Sequence, residues 1–429
     1  MRYDALSLWF LADPSQPRCI GRLGLVSAGK GVSLQYGADW LANGFALSED
    51  LPLVDIEHLP RWRGMAVGAV DDARPDRWGE RVIQYLDRPA RLSLMEYLFY
   101  AGDDRFGALG VSTSPDAYLP RARGPLPRLD QAQTLSAVVH KLNAKESVSA
   151  LEGQLLAAGG SFGGAKPKAL IEIGGEQWLI KFFNDEPIDV PLVEHASMRL
   201  AGQAGIRVAQ TQIVALAGEH ALAVRRYDRN GAQRIHCICA GTALRAQTLA
   251  GQEPEMGYPQ LAQLLRRAGD ARDDANLRDM QELFRRMVFN ILIDNTDDHE
   301  KNHALQVVAP TRQGRYRLAP AFDVLPSNSG QGAQEFVVGL DQHESTLANA
   351  MSQCRLFGLT PAQAGVEVMR VVAVVDGWKA HFAACGVVAA DLDSLAERID
   401  GPHLLDQRRD FDTRAYAVPA TRPRRRRTF

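Results

Sequence analysis

The stretch "LRDMQELFRRMVFNILIDNTDDHEKNHALQVV", residues 277–308, constrains the fold of this chain more than any other. Its first half places apolar side chains at Met280, Leu283, Phe284, Met287, Val288, Ile291 and Leu292, the rhythm of a helix with a wide apolar face. Such a face must be covered, so the helix belongs inside a lobe. The second half changes abruptly to the polar run "DNTDDHEKNH", residues 294–303, and then to the strand-like "ALQVV". A buried helix therefore delivers carboxylate, imidazole and amide groups to the start of a strand.

Two chemistries fit the polar run. From His299 it spells H-E-x-x-H, a zinc hydrolase motif that would use His299 and His303 as ligands and the glutamate as base. That chemistry needs a helix carrying both imidazoles and a third ligand, nominally Asp323. "NTDD" upstream is cap and turn chemistry, and the strand-like run downstream leaves little room for such a helix. From Asp297 it spells D-x-x-x-x-N, ending at Asn302, the spacing of a kinase catalytic loop. There the aspartate accepts a hydroxyl proton and the asparagine binds magnesium. "RYRLAP" then forms a hairpin with "ALQVV" around "APTRQG", and "AFDVLP" follows with Asp323. Asp297, Asn302 and Asp323 would thus surround ATP phosphates through magnesium.

Upstream, "GGSFGGAKPK", residues 159–168, is a glycine-rich turn carrying Lys166 and Lys168. Glycines let a backbone approach an anion, although the Walker A pattern is absent, and a plain flexible loop fits equally well. "KALIEI" and "QWLIKFF" read as strands joined at Gly174-Gly175, a hairpin turn pair. Lys181 stands at the end of the second strand, and Glu194 lies in the helix that follows. A strand lysine paired with a helix glutamate behind a glycine-rich hairpin is the small-lobe plan of protein kinases, although two unrelated surface charges fit too. "VRRYDR", residues 224–229, ends a further strand and could bridge two lobes. Cys237 and Cys239, next to His236, read as a buried structural pair before they read as metal ligands.

The N-terminal third reads as strands: "ALSLWFLA", "CIGRLGLVS", "GVSLQYG" and, closing, "RFGALGVS". Helical stretches, "DRWGERVIQYLDR" and "LSLMEYLFYAG", intervene. "LPRARGPLPR", residues 119–128, is a Pro- and Arg-rich linker. The expected division is a β-rich subdomain over 1–122, a small-lobe-like region over 129–240, a helical catalytic lobe over 241–417 and a disordered basic tail over 418–429. Net charge of −2 gives no global field for nucleic acid or anionic membrane. Five scattered cysteines argue for a reducing compartment, and neither a signal peptide nor a run of 18 apolar residues is found, which points to the cytoplasm and no membrane.

Taken together, "GRLGLVSAGKGVSLQYGADWLANGFALSEDLPL", "GGSFGGAKPKALI", "LIKF", "VRRYDR", "NTDDHEKNHAL" and "FDVLP" resemble, in order and over nearly the whole chain, the HipA family of toxin serine/threonine kinases. The resemblance implies an α+β, protein-kinase-like bilobal fold with a β-rich N-terminal subdomain and a mainly helical C-terminal lobe. It implies ATP and Mg2+ as cofactors, with Asp297 as catalytic base, His299 beside the phosphates, and Asn302 and Asp323 as metal ligands. Lys181 would contact the ATP phosphates, and Gly163, Gly164, Ala165, Lys166 and Lys168 would form the phosphate loop. Arg226 and Tyr227 would sit at the adenine hinge, and Ser161 would be a regulatory autophosphorylation site. Implied partners are a helix-turn-helix antitoxin, operator DNA mainly through that antitoxin, and a protein substrate; some members phosphorylate an aminoacyl-tRNA synthetase.

Two departures stand out. The best-known members carry Gly after the catalytic aspartate, whereas this chain has Asp298, an extra carboxylate expected to alter metal binding or substrate approach. They also carry an acidic motif after the hinge strand, where this chain has "IHCICAGTAL". These departures motivate an alternative: a nucleotide-binding co-repressor with the kinase fold, acting mainly with an antitoxin.

Overall fold

A computed structural model describes residues 2–416 except 122, 158–165, 184, 249–251, 309–315, 328, 329 and 331. The N-terminal strands β1 (Ala5–Phe10), β2 (Arg18–Val26), β3 (Gly31–Tyr36), β4 (Glu57–His58) and β5 (Leu109–Ser112) form one antiparallel sheet in the order β4-β3-β2-β1-β5. Gly21 is required where β2 crosses β3, because a Cβ there would lie 2.1 Å from the Gln35 carbonyl oxygen. The helices Arg77–Leu86 and Leu94–Tyr100 intervene before β5 closes the sheet against β1.

A second sheet contains β6 (Lys168–Ile173), β7 (Glu176–Phe182), β8 (Thr211–Ala215) and β9 (His220–Arg225) in the order β6-β7-β9-β8. Gly174 and Gly175 make the β6–β7 turn at φ 62° and 81°, a conformation that glycine takes without Cβ strain. Period-two alternation then sorts the side chains. Trp178, Ile180 and Phe182 enter a core with Trp78, Val82 and the helix Ala132–Asn143. Leu222 and Val224 face the opposite way, toward Val193, Ala196 and Leu200 of the helix Val190–Gln203. That helix starts with Asp189 accepting the Leu192 N–H and Pro191 in its first turn.

After β9 come the short hairpin β10 (Arg229–Asn230) and β11 (Gln233–Arg234), then β12 (Cys237–Cys239). The strand β12 pairs with β13 (Ala304–Val307), which pairs with β14 (Tyr316–Leu318), so "ALQVV" and "RYRL" do form a hairpin. The remaining lobe is helical and is built around Ala275–Leu292. All seven apolar residues of its stripe are buried, each stabilising the lobe by about 1.5–3 kcal/mol. The molecule is thus a bilobal, kinase-like α+β fold preceded by a β-rich subdomain. The core of the first sheet (Leu8, Leu23, Val32, Leu34) is continuous with that of the helical lobe (Leu283, Phe284, Met287).

The stretch 119–128, read as a linker, is tethered. Arg121 and Arg123 bond Asp87, and the Glu172 N–H donates to the Pro127 carbonyl. No helix of the described residues is long and apolar enough to cross a membrane. None of the cysteines is in a disulfide.

Candidate active site

Alternation along β7 turns Lys181 away from the Trp178 core and toward the helix Val190–Gln203. Its Nζ donates to Glu194 Oε1 at 2.6 Å and to Asp323 Oδ1 at 2.7 Å. The Glu194 side chain is buried and that of Lys181 is largely covered, whereas Asp323 keeps 41% of its side chain open. Burial opposes charge on Lys181, but the Asp323 and Glu194 carboxylates outweigh it and raise the lysine pKa. Burial also opposes charge on Asp323, yet Lys181 and then Lys168 hold that carboxyl well below the usual range. Glu194 goes the other way, raised by burial against the pull of Lys181. Lys168 stands directly across from Lys181 in the β6–β7 ladder, and burial, reinforced by that like charge, pushes its pKa down to about 8. Lys166 reaches Glu186 at 3.2 Å. Ser161, Gly163, Gly164 and Ala165 lie outside the described residues, as do the "APTRQG" turn and the basic tail 418–429.

Asp323 is presented by backbone geometry. The Ala321 N–H donates to the Arg207 carbonyl at 2.7 Å, and its carbonyl accepts from the Ala209 N–H at 2.8 Å. Asp323 then takes φ 59°, a left-handed conformation that aspartate tolerates better than most residues.

Between Leu292 and Ala304 the chain is a loop with one 3-10 turn, Glu300–Asn302. Asp297 is exposed, and its carbonyl accepts from Asn302 Nδ2 at 3.4 Å. Half-buried His299 caps the turn by accepting the Lys301 N–H at 3.2 Å. The Ser327 N–H donates to the Asp294 carbonyl at 2.9 Å, and the Ser327 and Thr296 hydroxyls lie 2.5 Å apart. The loop is therefore fastened to the segment that carries Asp323.

Asp298 corrects an expectation. It is not an extra carboxylate facing metal or substrate: the residue is 2% exposed. Its Oδ2 accepts from the Tyr258 hydroxyl, from Asn290 Nδ2 at 2.9 Å and from His303 Nε2 at 2.8 Å. Burial works against its charge, but His303 and these hydrogen bonds lower its pKa overall. The H-E-x-x-H reading fails on the same geometry. His299 caps the short turn, while His303 lies beyond it, buried on Asp298 and stacked on Phe336, so the two do not share a helix. Among the described residues no group of three or more His, Cys, Asp or Glu side chains is placed to hold a metal ion. Cys239 bonds Asp72 at 2.9 Å, and burial keeps both Cys237 and Cys239 protonated thiols.

The hinge stretch is also more constrained than "VRRYDR" suggests. Arg226 is buried and its guanidinium bonds Asp228, Gln177 and the carbonyls of Asp104 and Arg105. Its N–H donates to the Gln177 carbonyl, and the Tyr227 carbonyl accepts from Gln306 Nε2. The Arg226 side chain is therefore built into the fold, not presented to a nucleotide. The Tyr227 ring stacks on Phe322, next to Asp323, with centroids 5.4 Å apart.

Lys181, Glu194, Lys168 and Asp323 are brought together, and Asp297, His299 and Asn302 share the adjoining loop. Sequence reasoning missed two features. The Lys168–Lys181 opposition was readable, because a two-residue turn at 174–175 fixes that register. In the Asp298 cluster, His303 and Asn290 lie five and eight residues from Asp298, but Tyr258, 40 residues away, carried no local signal.

The family model described as HipA-like C-terminal domain matches residues 160–378, just over half of the chain. A protein of Haemophilus influenzae with the description "Putative kinase" is 27% identical over 141 residues, which is 30% of this chain and 39% of that protein. "Putative kinase Y4dM" of Sinorhizobium fredii is 30% identical over 165 residues, 35% of this chain and 37% of that protein. The chain thus matches less than two-fifths of the length of these curated relatives. The HipA toxin of Shewanella oneidensis, solved with HipB and operator DNA, superposes with a TM-score of 0.66, covering 96% of this chain and all of that one at 18% identity. The fold is therefore shared with that structure, and the chain belongs to the HipA-like C-terminal domain family.

Proposed function

We propose that this chain is an ATP- and magnesium-dependent serine/threonine protein kinase acting as the toxin of a toxin–antitoxin pair. The observation that carries the reading is the Lys181 ammonium joining Glu194 to Asp323, beside a loop exposing Asp297. In this reading Lys181 and Lys168 bind phosphate oxygens, the hinge backbone at Arg226 and Tyr227 borders the adenine, and His299 lies beside the phosphates. Asp297 accepts the proton of a serine or threonine hydroxyl as its oxygen bonds to the γ-phosphorus and the bond to the β–γ bridging oxygen breaks.

The residues present fit Mg2+. Asp323 is a half-open carboxylate held ionised by lysine, and Asn302 donates through its nitrogen, which leaves its amide oxygen as a ligand atom. Hard oxygen donors, few in number and completed by phosphate, are what magnesium takes. Asn302 and Asp323 would hold it, and when bound it neutralises charge on the phosphates.

The test is incubation with γ-labelled ATP and magnesium. Label is expected on the protein, with Ser161 as its site by mass spectrometry, to disappear on chelation and to fall at least about 100-fold in Asp297→Ala. Labelling that persists in that variant overturns the assignment. A helix-turn-helix antitoxin, operator DNA reached through it, and a protein substrate such as an aminoacyl-tRNA synthetase are the partners this reading implies. Support for the first two comes from the complex in which the Shewanella oneidensis toxin was solved. The co-repressor alternative loses one of its motives, because Asp298 is buried behind the loop and not in the site.

A further inference from the structure

We infer that Asp298 is a positioning residue: a buried anchor that sets the pose of Asp297, from which it differs only by one step along the chain. The inference rests on the kinase reading of the same site.

The loop is pinned twice, each time between residues five apart. On the open side, Asn302 Nδ2 donates back to the Asp297 carbonyl at 3.4 Å. On the buried side, His303 Nε2 meets Asp298 Oδ2 at 2.8 Å. Adjacent residues thus hold opposite faces, Asp297 exposed and Asp298 2% exposed. Three donors converge on the one Asp298 oxygen, each from a different element. Tyr258 opens the helix Tyr258–Ala268, and its N–H donates to the Val337 carbonyl. Asn290 lies in the last turn of Ala275–Leu292 and also accepts from Asn295 Nδ2 at 3.1 Å. His303 begins the run into β13 and lies against Phe336 with centroids 5.2 Å apart.

An ionised carboxylate accepts charge-assisted hydrogen bonds from all three donors on that oxygen. An amide could keep an oxygen there but not the charge, so all three bonds would weaken together. The carboxylate also closes a buried polar cluster, since the Tyr258 hydroxyl, Asn290 Nδ2 and His303 Nε2 all end on it. Among the described residues His303 Nδ1 is buried without a hydrogen-bond partner, which leaves Nε2 as the ring's polar contact with the cluster. Asp298 touches neither substrate nor nucleotide in this reading. Its effect is transmitted to the carboxylate next to it, and a misplacement of about 1 Å at a reacting group costs about 100-fold in rate.

The experiment compares wild type, Asp298→Asn, His303→Gln and His303→Leu. Steady-state phosphoryl transfer gives kcat and KM for ATP, and nucleotide-binding stoichiometry gives the fraction of competent molecules. Hydrogen exchange over residues 295–303 reports the loop directly. Expected for Asp298→Asn is a kcat loss of about 10- to 100-fold with KM for ATP within threefold, full binding stoichiometry, and faster exchange confined to the loop. His303→Gln, which keeps a donor, should retain most of the rate, and His303→Leu should not. A kcat within twofold of wild type in Asp298→Asn overturns the inference. So does a loss accounted for entirely by fewer binding-competent molecules. If wild type transfers no phosphate, the kinase reading fails separately, and unchanged loop exchange in Asp298→Asn would then still reject the anchor.

Discussion

At the scale of single residues, the site is an arrangement of charges that could not each be buried alone. Lys168 and Lys181 face each other across two strands, and Glu194 and Asp323 supply the opposing charge. The two lysines divide: Lys181 is held charged by its carboxylates, while burial and Lys181 push Lys168 down to about 8. Nucleotide phosphates favour the protonated amine, so the free protein should lose ATP affinity as pH rises through that value. Lys168→Arg stays charged and should abolish the dependence. Nucleotide titration between pH 7 and 9.5 checks this, and a parallel slope in both proteins would contradict it. Much of this was legible in the chain. The lysine in an apolar strand and the glutamate in the next helix were readable from pattern, and Gly174-Gly175 dictated the register. The partnership of Lys181 with Asp323 was not, because 142 residues separate them.

Among the elements, the stretch that leaves β9 is held by a cluster of buried charges. Asp228 accepts from Arg226, Arg229 and the Gly107 N–H, and Arg226 and Arg229 both donate to the Arg105 carbonyl. Arg234 donates to the Asp103 carbonyl and carboxylate. The loop 103–107 of the β-rich subdomain is thus clamped to the strand that leaves the small sheet. Removing one member strands buried charge, so Asp228→Ala should cost about 3–5 kcal/mol. A urea melt measures that, and a loss below about 1 kcal/mol would show the clamp to be dispensable. The sequence showed a polar turn here. It did not show that three arginines in one short stretch would be buried, since nothing local says which carboxylates and carbonyls will meet them.

For the whole molecule, the consequence is that the first 122 residues are not an appendage. Their sheet shares a core with the helical lobe, and Trp78 packs into the core of the small sheet while its indole donates to the Lys168 carbonyl at 2.7 Å. A fragment beginning at residue 129 exposes both surfaces. It is expected to lose fixed tertiary packing, seen as collapse of the near-ultraviolet circular dichroism with helical signal retained. A native-like spectrum from that fragment would contradict the shared core.

What the sequence determined by itself was periodic or adjacent. The apolar stripe before Asp294 made a buried helix, the polar run after it made a loop, and alternation with a glycine pair made a hairpin presenting Lys181. These follow from local sterics and from the need to cover apolar faces. What the tertiary structure alone decided was which of two neighbouring aspartates faces outward. Asp297 and Asp298 are chemically identical, and their roles part because Tyr258, Asn290 and His303 converge on the second and leave the first exposed. That convergence joins residues from three elements, and a carboxylate becomes an anchor only where the fold has placed donors around it.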